Sequence, residues 1–450
     1  MIVDMPLSEL QKRCGGELIG DDMLFKSVST DSRKVADGDL YLALKGDKFD
    51  GHGFVEQVED RAAAFVLERD CKVSKSRLIV DDTRYALGAI GAYCREHFRK
   101  PVVAITGSSG KTTTRNMLYA ILSTQGGVCT TLANQNNEIG VPLTLMTLSS
   151  EHVAAVVELG ARHIGDIRYL GQFVKPDVSI LLNAGTAHIG EFGGYENIVL
   201  GKGEIYEVLG EQGVAIVNID DPASDLWLKS LSGQRVITYS VANDAAMVFA
   251  DHVVLGSETT TFRVHYQSKS VEVTSAATGM HNVSNALAAC AAALSLNIDL
   301  AAVVEGLSQY QAESGRLSRE RLASGITLIN DAYNANPASM KAGLDVLAAE
   351  ASYRIAVLGE MGELGGLAER LHLELAEYAA QSQIEEIWLI GQFAEQMASR
   401  IGSKATVFNS KQAIANALAG VNQNPLTVLL KASRFVALED VVSLHKRGCA

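Results

Sequence analysis

Val102-Val103-Ala104-Ile105-Thr106-Gly107-Ser108-Ser109-Gly110-Lys111-Thr112-Thr113-Thr114-Arg115-Asn116-Met117 is the stretch from which the rest of the chain can be read. Its first five residues, β-branched or small, form a short buried-strand pattern. A loop bracketed by Gly107 and Gly110 follows, and from there to Ser123 the apolar positions recur at helical spacing. Strand, glycine loop, Lys-Thr and helix make a phosphate cradle. Backbone N–H groups and a helix N-terminus face an anion, Lys111 adds a point charge, and the Thr112 hydroxyl is placed to ligate Mg²⁺. Gly107, Ser108, Ser109, Gly110, Lys111, Thr112 and Thr113 are the expected triphosphate contacts. The loop is shorter than a full Walker pattern, because Ile105 stands where a glycine would lie five residues before Gly110.

Outward from this loop the chain alternates strands and helices. A helical pattern from Tyr85 to Phe98 leads into Pro101. Downstream, Asn134-Gln135-Asn136-Asn137 is rich in donors and acceptors, as a ligand-facing loop would be. The strand Val153–Val157 ends in Glu158, at the carboxyl edge of a parallel sheet, where open α/β sheets bind ligands and an acid can hold Mg²⁺. A third strand from Val178 runs out through Asn183 to His188 at the same edge, and Lys202 is read as opening a helical run. The stretch from Val236 to Ser275 reads as strands in hairpins. Gly279 to Asn285 then opens an Ala-rich helix to Leu296, with Asn282 and Asn285 on one face.

From about residue 312 the alternation restarts, with Arg316, Asp331 to Pro337, Gly359 to Gly365 and Lys431 to Arg434 in its polar loops. Residues 1 to 84 carry short strands separated by Thr30-Asp31-Ser32-Arg33 and Asp50-Gly51-His52-Gly53. These segments read either as surface turns or, through Ser32 and Arg33, as a hold on a phosphate or sugar. The expected architecture is α/β in three domains. A small mixed α/β domain (1–84) precedes a central P-loop-type parallel-sheet ATPase domain (85–311) and a Rossmann-like doubly wound domain (312–450).

Composition limits the function classes. The chain has 450 residues, 47% hydrophobic and 20% charged, with a net charge of −13, so nucleic acid and anionic membranes are poor partners. An anionic substrate must be met by local cations. Six scattered cysteines without a Cys-x-x-Cys pair fit a reducing compartment. The N-terminus shows no signal-peptide pattern and no apolar run approaches the ~20 residues of a membrane span. A cytoplasmic chain without membrane insertion, acting as a monomer, is expected.

The Thr106-to-Thr113 loop, Glu158, His188, Lys202, His281-Asn282-x-x-Asn285, Arg316 and Asp331 together resemble the Mur ligases, ATP-dependent amide-bond formers of peptidoglycan synthesis. The likeness runs through essentially the whole chain. Within the family, Asp331-Ala332-Tyr333-Asn334-Ala335-Asn336-Pro337 and Gly359-Glu360-Met361-Gly362-Glu363-Leu364 resemble the branch that joins D-alanyl-D-alanine to UDP-N-acetylmuramoyl-tripeptide. The sibling adding the third amino acid shares Asp31-Ser32-Arg33, but its Asp-Asn-Pro-Arg sequence is missing here.

The resemblance implies ATP and two Mg²⁺ ions, one on Thr112 and Glu158 and one near His188, with Lys202 as an N-carbamylated ligand. It implies catalytic roles for Lys111, Lys202, His188 and Arg316, and nucleotide contacts from Asn137, Asn282, Asn285, Arg316 and Asp331. Thr30, Ser32 and Arg33 would hold the uridine-diphosphate end, while Asn134, Asn136, Asn334 and Asn336 would face substrate. Two departures are expected to touch fine contacts. Ala432 replaces a family glycine, where its methyl would crowd a backbone needing positive φ, and Gly53 replaces an acid. Two other classes stand beside this reading: a P-loop protein using ATP as a switch on a partner, and a folate-polyglutamylating ligase.

Overall fold

In the computed structural model, which describes residues 1–46 and 49–448, the phosphate-loop strand Val102–Thr106 lies inside a nine-stranded sheet. Its neighbours are His152–Glu158 on one side and Val178–Leu181 on the other, both parallel to it. The chain passes from 102 to the 127 and 152 strands in one direction and then doubles back to 178. That reversal opens a crevice at the carboxyl edge. Register aligns the ends: Ile105 faces Glu158 and Thr106 faces Leu181. Gly107, Glu158 and the residues after Leu181 therefore emerge together.

Alternation along these strands builds two cores. Val103, Ile105, Val156 and Ile180 pack under the phosphate-loop helix Lys111–Ser123 and the Ala-rich helix Met280–Ser295. Ala104, Ala155, Val157 and Leu181 pack under Asp166–Val174 and Tyr195–Glu207. The expectation of hairpins from Val236 holds only from Val248 onward. Arg235–Ser240 pairs in parallel with the strand before it and the strand after it, and only the last two strands turn back antiparallel.

The N-terminal part forms a five-stranded sheet ordered 17–19, 77–79, 64–67, 40–42 and 28–29. It is joined to the central sheet by the helix Thr83–His97, capped by the Asp82 carboxylate, which accepts from the Arg84 and Tyr85 amides. Ala86, Leu87 and Ile90 of this helix enter the N-terminal core. Gly88 and Gly91 turn the other way: a Cβ at Gly88 would overlap the Phe173 ring, and one at Gly91 would lie 3.0 Å from Pro142. Small residues thus let one helix press into two cores.

The C-terminal six-stranded sheet is parallel except for its edge strand Ser318–Arg321, with Leu426–Lys431 between Thr327–Asp331 and Tyr353–Leu358. Asp331 and Leu358 both face Lys431 across the register, so the loops after these three strands share one edge. That edge faces the central crevice. The short helix Ile189–Phe192 and the turn Gly365–Leu367 approach closely: a Cβ on Gly190 would stand 2.5 Å from the Gly365 amide nitrogen.

Candidate active site

The phosphate loop is held open from both sides. Ser108 and Ser109 amides donate to the Asn183 main-chain and side-chain oxygens at 3.2 and 3.1 Å, and the Ser108 hydroxyl donates to the Ala184 carbonyl. Gly110 takes φ +83°, and a Cβ there would overlap the Asn285 amide, so only glycine fits. Asn285 in turn donates to Asn282 Oδ1 at 3.0 Å, and Asn282 donates to the Thr278 carbonyl at 2.8 Å. The two asparagines share one helix face, as their spacing predicts.

Lys111 lies folded over the loop, donating to the Gly107 carbonyl at 2.7 Å. Burial pulls its ammonium below the ordinary lysine range, Glu158 opposes this, and Arg316 adds to it. Arg316 reaches the same cavity from the C-terminal part, its guanidinium carbon 4.1 Å from the centre of the Tyr333 ring. Its Nε is buried without a hydrogen-bond partner and lies 3.4 Å from Glu313. An anion between Lys111 and Arg316 would satisfy both.

Glu158 is almost fully buried and is held by three groups. The Thr112 hydroxyl donates to Oε2 at 3.0 Å, the Asn136 amide donates to Oε1 at 2.8 Å, and Arg115 lies 3.5 Å from Oε2. Asn136, expected to face substrate, lines the cavity and also orients Glu158. Asn137 accepts from the amide of Gly140, the first residue of the following helix, at 3.0 Å, while Asn134 stands exposed in the wall. Asn334 and Asn336 line the opposite wall, and Asn336 also caps the helix Pro337–Ala348. Asp331 forms a buried ion pair with Lys431 and accepts from Leu317 N at 3.2 Å; burial raises its carboxyl above the ordinary range despite that cation.

Lys202 does not open its helix. The helix begins seven residues earlier, at Tyr195, and places Lys202 in its buried interior. Its ammonium lies 5.5 Å from the Phe192 ring, and among the described residues no carboxylate comes within 4.0 Å of it. Burial, with Lys111 nearby, pushes this amine well below the ordinary lysine range.

His188 takes φ +61° at the start of the short helix, with Nδ1 2.8 Å from Glu363 and 3.4 Å from Glu191. Glu363, quoted in a glycine-rich loop without a role, is thereby brought to the site from the C-terminal sheet. Arg162, His163 and Asp166 also line the cavity and had not been singled out. The loop after Glu158, at the same sheet edge, was the available signal.

Thr30, Ser32 and Arg33 are not brought to this cavity. Arg33 is exposed and pairs with Asp31 at 2.8 Å, which holds the Asp31 carboxyl at about 2. Nearer the cavity, Asp82 and Arg84 at the start of the linking helix mark its N-terminal margin. Lys431 is committed to Asp331, and Arg434, at the cavity rim, pairs with Glu439. Ala432 is not at positive φ. Its methyl is buried in the C-terminal core against Gly359, so the expected crowding does not arise. A Cβ at Gly53 would meet nothing within 4 Å. Cys449 lies outside the described residues; Cys14, Cys71, Cys94, Cys129 and Cys290 are free thiols.

Comparison with known proteins agrees with this layout. Three family models match: the Mur ligase family catalytic domain over residues 24–90, the Mur ligase middle domain over 105–293, and the Mur ligase glutamate ligase domain over 315–434. The UDP-N-acetylmuramoyl-tripeptide–D-alanyl-D-alanine ligase of Escherichia coli (strain K12) is 37% identical over 99% of this chain and 100% of that protein. The ligase of the same name from Bacillus subtilis (strain 168) is 34% identical over 94% of this chain and 93% of that protein. Among solved structures, MurF from Acinetobacter baumannii superposes with a TM-score of 0.94 at 37% identity, covering 99% of both chains. MurF ligase from Thermotoga maritima in complex with ADP gives 0.85 at 27% identity, covering 94% of this chain and 97% of that one. With the phosphate loop, Glu158, His188 and Arg316 gathered in one interdomain cavity, and with full-length relatives at this identity, the chain belongs to the Mur ligase family.

Proposed function

We propose that the chain is an ATP-dependent ligase that joins D-alanyl-D-alanine to UDP-N-acetylmuramoyl-tripeptide in peptidoglycan precursor synthesis, the reaction for which its relatives are named. The observation that carries the reading is the cavity. At about 1240 Å³ it exceeds the ~300–1,000 Å³ of an ordinary ligand pocket, and its walls come from two sheet edges. A nucleotide, a peptide carboxylate and an amine can meet there.

A carboxylate is a poor electrophile. The donor's terminal carboxylate attacks the γ-phosphorus of ATP and ADP leaves, giving an acyl phosphate. The amine of D-alanyl-D-alanine then attacks the acyl carbon, phosphate departs, and the nitrogen loses a proton. Two anions must approach in the first step, and Lys111 and Arg316 supply preorganised positive charge where they meet.

Thr112 and Glu158 would hold one Mg²⁺, their oxygens already 3.0 Å apart, and His188 a second, with Lys202 as its carbamate ligand. Bound there, the ions would neutralise phosphate charge and polarise the γ-phosphoryl group. The buried His188 Nδ1, without a hydrogen bond, fits a ligand role. Burial favours the neutral amine of Lys202, the form that adds CO₂, which supports the carbamate.

Asn137, Asn282, Asn285 and Asp331 would contact the nucleotide, and Asn134, Asn136, Asn334 and Asn336 the peptide substrates. Thr30, Ser32 and Arg33 would hold the uridine-diphosphate end, outside the cavity. Domain limits near 84 and 311, a monomeric state and a cytoplasmic setting belong to the same proposal. Among the described residues no helix is long and apolar enough to cross a membrane.

The test supplies ATP, Mg²⁺ and either UDP-N-acetylmuramoyl-dipeptide or -tripeptide with each candidate amine. ADP is expected only for tripeptide with D-alanyl-D-alanine. Turnover with dipeptide and a single amino acid would move the chain to the sibling activity. Amine-independent ATP hydrolysis tied to a protein partner would favour a switch.

A further inference from the structure

His188 Nδ1, Glu191 and Glu363 offer three ligand atoms within 4.8 Å of one another. The imidazole nitrogen is 2.8 Å from one Glu363 oxygen and 3.4 Å from one Glu191 oxygen. It is buried and makes no well-aligned hydrogen bond with either. Adjacent ligands of an octahedral cation with bonds of about 2.0–2.1 Å stand roughly 2.9 Å apart. The His188–Glu363 distance matches that spacing, and Glu191 stands about half an ångström beyond it. Both His188 and Glu363 hold left-handed backbone, φ +61° and +62°, to bring these side chains together, and strain of this kind concentrates at working sites.

The three residues do not come from one domain. His188 immediately precedes the short helix Ile189–Phe192 of the central part and Glu191 lies within it, while Glu363 arrives on the loop that packs at Gly190. We infer that Glu363 is a ligand of the His188 cation supplied by the C-terminal domain, so that cation binding and closure of that domain form one equilibrium. An imidazole with two carboxylates suits Mn²⁺ or Mg²⁺. Arg162, 3.4 Å from the other Glu363 oxygen and 3.5 Å from Glu191, would hold the carboxylates in place. By reciprocity, the factor by which closure tightens the ion equals the factor by which the ion favours closure. This inference rests on the reading of His188 as a cation ligand.

The experiment titrates Mn²⁺ into the full-length chain bound to a non-hydrolysable ATP analogue, with free Mn²⁺ read by electron paramagnetic resonance and closure by small-angle scattering. Wild type should bind one ion beyond the nucleotide's and become more compact as it does. Glu363→Gln should weaken that second ion by at least about 10–100-fold and abolish the compaction, with melting temperature unchanged. A Glu363→Gln chain that binds the second ion as tightly as wild type overturns the inference. So does a wild type whose scattering ignores Mn²⁺ while Arg162→Met opens it, which would make the cluster a simple charge latch. His188→Ala separates the two levels. If it weakens the second ion and Glu363→Gln does not, only this inference fails; if neither changes it, the His188 assignment fails too.

Discussion

Gly190→Ala separates folding from catalysis. Gly190 sits in the helix Ile189–Phe192 at negative φ, where alanine is the better helix former by about 0.8–1.0 kcal/mol. The central domain should therefore be as stable as before, or slightly more so. The new methyl, however, would stand 2.5 Å from the Gly365 nitrogen, 2.8 Å from its Cα and 2.8 Å from the Leu364 carbonyl carbon. All three are backbone atoms that cannot rotate away. Ordinary contact requires the 359–367 loop to retreat by about 1 Å, and a misplacement of that size costs on the order of 10²-fold in rate. The displaced loop carries Glu363, and the 3.3 Å bond from Gly190 N to the Glu363 carbonyl is lost with it. Phosphate release from ATP, tripeptide and D-alanyl-D-alanine should fall about 100-fold, while melting temperature and ADP affinity hold. Near-normal turnover in a folded Gly190→Ala chain would refute the claim that this docking is required.

Lys111→Ala should lose roughly 10²–10³ in single-turnover phosphate release at unchanged melting temperature, since it removes one preorganised donor and no packing. Glu158→Ala should differ by also destabilising the fold, by about 1–3 kcal/mol in urea unfolding, because the buried Arg115 guanidinium loses its carboxylate and keeps only the neutral acceptors Asn116 and Ala133. Lys202→Ala should be nearly inactive, with partial recovery in acetate as a replacement anion; an unmodified, ordered ammonium in the active two-metal state would rule the carbamate out. Burial, with help from Lys431, holds His281 at about 4 against an ordinary 6.5. Between those values the unfolded chain binds more protons, so stability should rise with pH across that window and be fully present above it. His281→Gln should flatten the rise in a melting-temperature profile.

Elements defined by local pattern were legible in the sequence. The strand Val102–Thr106 and the helix ending at Ser123 lie where glycine punctuation and periodicity place them, and Glu158 lies where a strand-end acid should. The start of the Lys202 helix was misread for a physical reason. Gly201 and Gly203 look like breakers, but they sit in mid-helix as notches against Phe192 and Trp227. The charged strand Ser318–Arg321 gave no apolar alternation because it is a half-exposed edge. Glu363 was unreadable as a partner of His188, since nothing local links two residues that meet only when two sheets close on each other. Ala432 misled in the opposite sense: the position needs a small buried side chain, not left-handed backbone.

The linking helix Thr83–His97 imposes a gauge on the donor. Rooted in both the N-terminal and central cores, it ties the five-stranded sheet to the domain that carries the phosphate loop, and a tie that holds through closure would keep the span between them fixed. If the uridine end is fastened near Thr30 to Arg33, the distance left to the γ-phosphate is a preset length. A peptide one residue short then stops about 3.3–3.6 Å away from its mark. Attack needs the reacting atoms within about 3–3.5 Å, so such a donor misses by its own missing residue. Donors would be sorted by reach before the C-terminal sheet moves at all, leaving the third residue's side chain free to vary at little cost.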